Sequence, residues 1–289
     1  MQTDAVVPFV FEMLPVRGAI IQMQQSWHRM LLGHSYAPPV RDVLGHAAAA
    51  TALLAQSLKF DGAVTMQLNG DGPLSLLVMQ CTNNLELRGM ASSSGVATGA
   101  SFADLAGKAR CAITIDAGAM EQPYQGIVEV SNESLAASLE NYYTRSAQIP
   151  SHLHLVCNES VCGGILLQQM PEKMLPVVDD WHRVGLLAST LRTLDIEKGV
   201  SAGLLARLFA EDDLRVFDGR PLVFRCRCSG QRAEEILRLL GESETRAALE
   251  ERGRITVTCE YCGRQRRFDT VDISRIFSAQ AMNGSDALH

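Results

Sequence analysis

The sequence predicts an α+β fold, with a mixed sheet-and-helix core domain, a helical amphipathic linker and a small cysteine-rich C-terminal domain. Strand and helix patterns mix without regular alternation in the first part of the chain. Apolar residues then recur at helical spacing, and four cysteines form two close pairs near the end. We place the core domain at residues 1–176, the linker at 177–221, the C-terminal domain at 222–277 and a flexible tail at 278–289.

Composition and charge exclude several classes of protein. Of the 289 residues, 47% are apolar and 20% are charged, so the chain can bury a core and is not disordered throughout. The net charge of -6 provides no general cationic field for nucleic acid. The first residues lack the basic segment and apolar run of a signal peptide, and no stretch reaches the roughly 18 apolar residues of a membrane span. We therefore expect a cytoplasmic protein that does not bind a membrane.

The core domain is predicted to begin with two strands, at residues 6–11 and 16–23. Pro38 and Pro39 interrupt the chain before an alanine- and leucine-rich helix at about 42–58. A hairpin should follow, because apolar and polar residues alternate at 64–68 and a turn signal, Asn-Gly-Asp-Gly, stands at 69–72. The remaining predictions are a return strand at 74–79, a loop at 91–99, a helix at 135–143, and strands at 111–115, 126–130, 153–157 and 163–168.

The linker carries two apolar stripes at helical spacing, separated by a break at Gly199, and Ser201 is the predicted N-cap of the second helix. The stripe residues are Trp181, Val184, Leu187, Leu191, Leu194, Leu204, Leu205, Leu208 and Phe209. The simplest interpretation is packing against a neighbouring domain. The functional interpretation adds reversibility, because the same stripes, once undocked, would form a surface that binds unfolded client proteins.

The C-terminal domain is too small to be stable on hydrophobic burial alone. Two short apolar strands flank a polar helix at 231–240, in a unit of about 55 residues. Such a unit needs a covalent or metal cross-link, and its cysteines can supply one.

The four cysteines of this domain have the spacing of a zinc site. Cys226 and Cys228 form a CxC pair, with one residue between them. After 30 further residues, Cys259 and Cys262 form a CxxC pair, with two residues between them. Residues two apart on a strand face the same side, and a tight turn ending at Gly263 would bring the second pair to the same ion. Zinc takes four such ligands in a tetrahedron. We predict one Zn²⁺ per chain on these four residues, in the reduced state.

Four interpretations of the cluster stay open at this point. A thiol–disulfide oxidoreductase would place its CxxC at the start of a helix, whereas here it follows a predicted strand. A purely structural zinc is the commoner role of four-thiolate sites. A switchable zinc is the third, because arginines 225, 227, 264, 266 and 267 would favour reactive thiolates. The arginines at 264–267 also allow a zinc-dependent RNA-binding protein, although only Tyr261 and Phe268 accompany them as aromatic residues.

The other candidate residues receive structural interpretations. Cys81, Cys111, Cys157 and Cys162 lie in apolar sequence and are predicted to be small buried residues. His152 and His154 are read as ordinary strand residues. No GxSxG or HExxH motif is present, and no GxxxxGK[ST] phosphate loop, so we expect neither an enzyme nor ATP binding.

The order of these parts resembles the redox-regulated 33 kDa heat-shock chaperones, also called 33 kDa chaperonins. Their CxC and CxxC pairs match Cys226, Cys228, Cys259 and Cys262, and the resemblance runs from about residue 2 to 277. Further matching stretches are LKFDG at 58–62, QLNGDGPL at 67–74, YQGIV at 124–128 and GGILLQ at 163–168. Ala147 departs from the pattern, since the family usually has glutamate there.

The resemblance implies a holdase that is inactive while reduced and zinc-bound. Oxidation would form Cys226–Cys228 and Cys259–Cys262 disulfides, release zinc, and unfold the C-terminal domain and linker. The exposed apolar surface would then bind unfolding proteins without ATP, and active family members form homodimers.

Overall fold

The computed structural model describes residues 4–58, 61–117, 122–171 and 178–283. The chain has an α+β fold and divides into two compact units. The first runs to Leu31 and from Ser35 to Arg225, and the second comprises Leu32–His34 and the residues from Cys226 onward.

The first unit contains the two large sheets. Its elements are β1 (Ala5–Phe11), β2 (Val16–Met23), α1 (Gln25–Leu31), α2 (Pro38–Ser57), β3 (Ala63–Gly70), β4 (Leu74–Thr82), β5 (Glu86–Ser93), α3 (Phe102–Ala106), β6 (Ala109–Asp116), β7 (Tyr124–Glu129), α4 (Leu135–Arg145), β8 (Ser151–Cys157), β9 (Cys162–Gln169), α5 (Val178–Ser189), α6 (Thr193–Glu197), α7 (Ala202–Leu208), β10 (Leu214–Val216), β11 (Arg220–Pro221) and β12 (Val223–Phe224).

The two sheets are each six-stranded. The first has the order β10-β1-β2-β9-β8, with β11 also paired to β1, and the second has the order β12-β5-β4-β3-β6-β7. Helix α2 packs against strands of both sheets. It is buried on nearly all sides from Val40 to Ala55, as expected for a helix that is apolar all round.

A second apolar cluster covers the other face of the first sheet. Phe9 and Phe11 of β1, Ile20 of β2 and Ile165 of β9 pack there against α5, α6 and α7. Residues 178–221, the described part of the predicted linker, therefore belong to the first unit in this structure. Its role as a separable linker stays a prediction.

The second unit is a small three-helix module with one hairpin. Its elements are α8 (Gly230–Leu240), α9 (Glu242–Arg252), β13 (Ile255–Thr258), β14 (Gln265–Phe268) and α10 (Thr270–Asn283). Its buried apolar residues are Ala233, Leu237, Leu249, Phe268, Ile273, Ile276 and Phe277. Helix α10 extends into the tail predicted at 278–289, and residues 284–289 lie outside the described residues.

The strand predictions of the core domain are confirmed to within a few residues, and the differences have local causes. The helix predicted at 42–58 begins at Pro38, because proline is tolerated in the first turn, where its missing N–H is not needed. The loop predicted at 91–99 starts only after Ser93, where β5 ends. Helices α1, α3, α9 and α10 were not predicted. Helices α1 and α3 are short and α9 is strongly polar, so their periodicity is weak.

A buried carboxylate holds the start of α1. Asp4 is 4% exposed, and its side chain accepts hydrogen bonds from the backbone N–H groups of Gln24 at 2.8 Å, Gln25 at 3.1 Å and Ser26 at 2.5 Å. These donors have no partner within the helix, so removing the carboxylate would leave them unsatisfied.

We expect Asp4→Ala to lower the free energy of unfolding by about 2–3 kcal/mol, the usual cost of losing hydrogen bonds to a buried charged group. Urea unfolding monitored by circular dichroism measures the change. Asp218→Ala removes an exposed carboxylate from the same unit and serves as the matched control. Equal free energies of unfolding for the two variants would show that Asp4 stabilises the fold no more than an exposed carboxylate does.

Candidate metal centre

The CxxC pair lies in the loop of the β13–β14 hairpin. In the hairpin, Thr258 pairs with Gln265, so the loop spans Cys259 to Arg264. The backbone N–H groups of Cys262 and Gly263 both donate to the carbonyl of Cys259, at 3.3 and 2.8 Å. Gly263 has a φ of +64°, a left-handed conformation that glycine adopts without a steric penalty. The chain therefore curls around the two sulfur atoms, as the sequence predicts.

The CxC pair lies between a strand and a helix. Strand β12 ends at Phe224 and α8 begins at Gly230, so Cys226 and Cys228 are not part of a strand. The prediction that a strand carries both residues is therefore wrong. Ser229 caps α8 by accepting the backbone N–H of Arg232 at 3.1 Å. The positive end of the α8 dipole favours negative charge at the start of the helix, and the CxC pair directly precedes that start.

The two pairs converge on one point. The four sulfur atoms all lie within 4.8 Å of one another. The Sγ atoms of Cys226 and Cys259 are 3.6 Å apart, as are those of Cys228 and Cys262. Tetrahedral Zn–S bonds of about 2.3 Å would separate the sulfurs by about 3.8 Å, whereas a disulfide requires about 2.05 Å. The cluster can therefore hold a metal ion, and a tetrahedral set of four sulfur donors suits zinc or an iron–sulfur cluster.

The acidity of these thiols is uneven. Burial, the largest effect, raises the pKa of Cys226 and that of Cys262. At Cys259 burial also acts to raise the pKa. Hydrogen bonds from the backbone N–H groups of Tyr261 and Cys262 and from neighbouring thiols outweigh it, so the net pKa is lowered. Because metal binding displaces thiol protons, any metal affinity of this cluster must fall as the pH falls.

One of the nearby arginines is already paired. Arg225 lies at the end of the first unit, and its Nη1 atom is 2.8 Å from Oε1 of Glu86. Part of the positive charge that the sequence places beside the CxC pair is therefore neutralised by a carboxylate.

Most of the predicted client-binding residues are buried or partly buried. Trp181, Val184, Leu187, Leu191, Leu204, Leu205, Leu208 and Phe209 all belong to the apolar cluster on the first sheet. Leu194 does not, because α5 ends at Ser189 and the next turn restarts as α6, which leaves Leu194 61% exposed. The single helical stripe predicted through 181–194 is therefore wrong at its last residue.

Two histidines hold this segment, although sequence reasoning assigned them no role. The ring of His152 stacks on that of Trp181, with centroids 4.3 Å apart. Nε2 of His154 is hydrogen-bonded to the backbone carbonyl of Leu191 at 2.9 Å. The sequence places the two histidines on one face of a strand, and Trp181 follows later in the chain. That pattern is too weak to distinguish these histidines from ordinary strand residues.

The other four cysteines lie in the first unit. Cys81, Cys111 and Cys162 are buried, as predicted, and Cys157 is half-buried. Burial raises the pKa of Cys81 and that of Cys111 to about 12, so both stay protonated at neutral pH.

Among the described residues, no helix is both long and apolar enough to cross a membrane.

Comparison with known proteins identifies relatives along nearly the whole chain. The family model described as "Hsp33 protein" matches residues 4–269. A 33 kDa chaperonin of Methylobacillus flagellatus is 38% identical over 99% of this chain and 99% of its own length. One of Nitrosococcus oceani is 40% identical over 94% of this chain and 93% of its own. The crystal structure of a 33 kDa chaperonin from Thermotoga maritima has the same fold, with a TM-score of 0.78 over 96% of this chain and 99% of that one, at 20% identity.

Proposed function

This chain belongs to the Hsp33 family, a family of chaperones, and from that premise we propose that it is a redox-regulated, ATP-independent holdase. In this proposal it binds unfolding proteins under oxidative stress, after its thiols are oxidised and zinc is released. The observation that carries the proposal is the convergence of four half-buried thiols on a unit with a very small apolar core.

The switch would consist of the zinc and its four ligands. We propose that Cys226, Cys228, Cys259 and Cys262 bind one Zn²⁺ per chain when reduced, and that oxidation pairs Cys226 with Cys228 and Cys259 with Cys262. Each disulfide formed by a peroxide consumes two thiols and one peroxide and releases two waters. All four sulfur atoms lie within 4.8 Å, so this pairing needs only small movements of the loops.

Unfolding would expose the client surface. We propose that loss of zinc unfolds the second unit and releases the segment at 177–221, whose apolar residues then bind clients. Val184, Leu205 and Phe209 are fully buried in the folded state, which explains why the reduced protein would be inactive. Exposed apolar surface of this kind binds other apolar surface without specificity. The active form would be a cytoplasmic homodimer that performs no catalysis.

The two alternative functions are less well supported. The CxxC of an oxidoreductase begins a helix, whereas here it lies in a hairpin loop and α10 begins only at Thr270. An RNA-binding knuckle needs exposed aromatic residues for base stacking. Phe268 is buried in the core of the second unit and is not available for that role.

Peroxide oxidation under mild heat tests the proposal. Released zinc, free thiols and the light scattering of an aggregating client are followed in the same samples. We expect about one zinc per chain to leave as four thiols disappear, with suppression of aggregation appearing only then. If zinc stays bound, or leaves with no gain in holdase activity, the site is structural. Catalytic turnover of a model disulfide would instead favour the oxidoreductase, and salt-sensitive binding of RNA by the reduced protein would favour the RNA-binding alternative.

A further inference from the structure

We propose that Cys157 and Cys162 form a second oxidisable dithiol, separate from the metal centre, which peroxide converts to an intramolecular disulfide. The two residues end β8 and begin β9 and are direct register partners across the hairpin. The register alone places their side chains on the same face of the sheet.

The pair occupies the type of position that accommodates a disulfide. Asn158 donates its backbone N–H to the carbonyl of Val161 at 2.9 Å, one step beyond the pair, and Gln169 donates to Pro150 at 3.0 Å, at the other end of the ladder. Because hydrogen-bonded and non-hydrogen-bonded pairs alternate, Cys157 and Cys162 form a non-hydrogen-bonded pair. The Cα atoms of such pairs are about 4.5 Å apart, inside the range of about 4.4–6.8 Å that disulfides span.

The packing of the hairpin against α2 already places the two sulfur atoms within hydrogen-bonding distance. The Cys162 thiol is hydrogen-bonded to that of Cys157. Both side chains face Gly45 of α2, where a Cβ atom would lie 2.3 Å from Sγ of Cys157 and 3.2 Å from Cβ of Cys162. Glycine inside a helix costs about 1 kcal/mol relative to alanine, and here it provides the space that the thiol pair occupies.

The two thiols differ in access, which assigns their roles. Cys157 is half-buried and lines a surface cavity of about 510 Å³ together with His46, His154 and Arg192, so a small oxidant can reach it. Cys162 is fully buried, and burial, followed by the neighbouring Cys157 thiol, raises its pKa well above the ordinary value. Cys157 is therefore the residue oxidised first, and Cys162 is the resolving residue.

The reaction balances with a peroxide as the only added reagent. The sulfur of Cys157 attacks one peroxide oxygen, the O–O bond breaks, and the second oxygen leaves as water, which gives a sulfenic acid. The sulfur of Cys162 then attacks the sulfur of Cys157. The S–O bond breaks, and the departing hydroxide takes the Cys162 proton to form a second water. The peroxide is reduced to two waters, and the two thiols are oxidised to one disulfide.

The cross-link would lie beside the attachment of the segment at 177–221. At the tip of the same hairpin, the backbone carbonyl of Asn158 accepts a hydrogen bond from the Trp27 indole N–H at 2.9 Å. The side-chain amide of Asn158 donates to the carboxylate of Glu197 in α6 at 2.9 Å. Since the disulfide joins residues already in register, it should form without unfolding the first unit.

Mass spectrometry of the full-length, reduced, metal-loaded chain tests this inference. The protein is treated with increasing peroxide, denatured, alkylated and digested, and zinc release is recorded in parallel. We expect the peptide that contains Cys157 and Cys162 to become lighter by two hydrogen atoms and to take up no alkylating agent. Cys81 and Cys111 are internal controls, because their register partners across the strands are not cysteines, and they should remain thiols.

Cys157→Ser provides the second arm. In that variant we expect Cys162 to be fully alkylated after the same peroxide treatment. The inference is overturned if the wild-type peptide still takes up two alkyl groups once the metal-centre thiols are oxidised, or if Cys162 is lost as a thiol in the variant. Should the variant fail to fold, the wild-type peptide decides the question alone. Zinc release reports separately on the metal centre, so either proposal can fail without the other.

Discussion

Removing the metal from the reduced protein should unfold the second unit and leave the elements from β1 to β9 of the first unit folded. Structural zinc contributes about 10–16 kcal/mol in small finger peptides. The second unit buries few apolar side chains, among them Leu237, Ile273 and Ile276, so it has little other stabilisation to replace that contribution. The apolar cluster around α2 in the first unit is extensive and contains none of the four thiols.

Amide hydrogen exchange after treatment with a strong chelator measures this effect. We expect protection to be lost throughout the β13–β14 hairpin and to persist in β3 and β4. Cys228→Ser, which removes one ligand, should give the same pattern without chelator. Glu260→Ala alters an exposed residue between two ligands, keeps all four sulfurs and should keep its protection. A hairpin that stays protected without metal would mean that the apolar core alone stabilises the second unit, and the switch proposed above would lose its driving force.

Truncating Phe209 should give holdase activity in the reduced, metal-bound protein. Its ring is fully buried, with its centroid 5.1 Å from that of Phe11 and 6.0 Å from that of Phe9. A Phe→Ala change at such a site costs about 3–5 kcal/mol, and this loss weakens the packing of α5–α7 on the sheet. The segment at 177–221 should therefore undock without any oxidation. This expectation rests on the proposed client surface.

Light scattering of a client, together with zinc content and hydrogen exchange, tests the Phe209→Ala variant. We expect suppressed aggregation, retained zinc and loss of protection in α5 and α7. Leu186→Ala is the matched control, because Leu186 lies on α5 but is 56% exposed and outside the apolar cluster. If the helices of Phe209→Ala lose protection and the client still aggregates as with wild type, these residues do not bind clients.

Strand β3 and the cluster of four cysteines show how much of the molecule was predictable. Val64, Met66 and Leu68 are buried in β3, as their alternation with polar residues predicts, because a two-residue repeat is a local property. The four metal-centre cysteines were equally predictable, since close pairs of soft ligands in a small unit have few other stable arrangements. The left-handed backbone at Gly263 follows from the same turn.

The strand proposed for the CxC pair shows a different limit. Residues that are two apart in a strand face the same side, but β12 ends at Phe224, before Cys226. Its pairing with β5 is parallel and joins residues far apart in the sequence, and no local pattern encodes where such a ladder stops. The four sulfur atoms nevertheless all lie within 4.8 Å of one another, so their convergence does not require the CxC pair to be part of a strand.

The α+β class, most strands of the core domain and the four thiols that can share one ion were accessible from the sequence alone. Three features became visible only in the folded chain: α5–α7 pack on the first sheet, Leu194 faces solvent, and Cys157 lies opposite Cys162. The physical reason is that periodicity reports which face of an element is apolar, whereas strand register and helix docking depend on hydrogen bonds and packing between distant segments. Two thiols five residues apart gave no signal in the sequence, and became neighbours only when β8 and β9 paired.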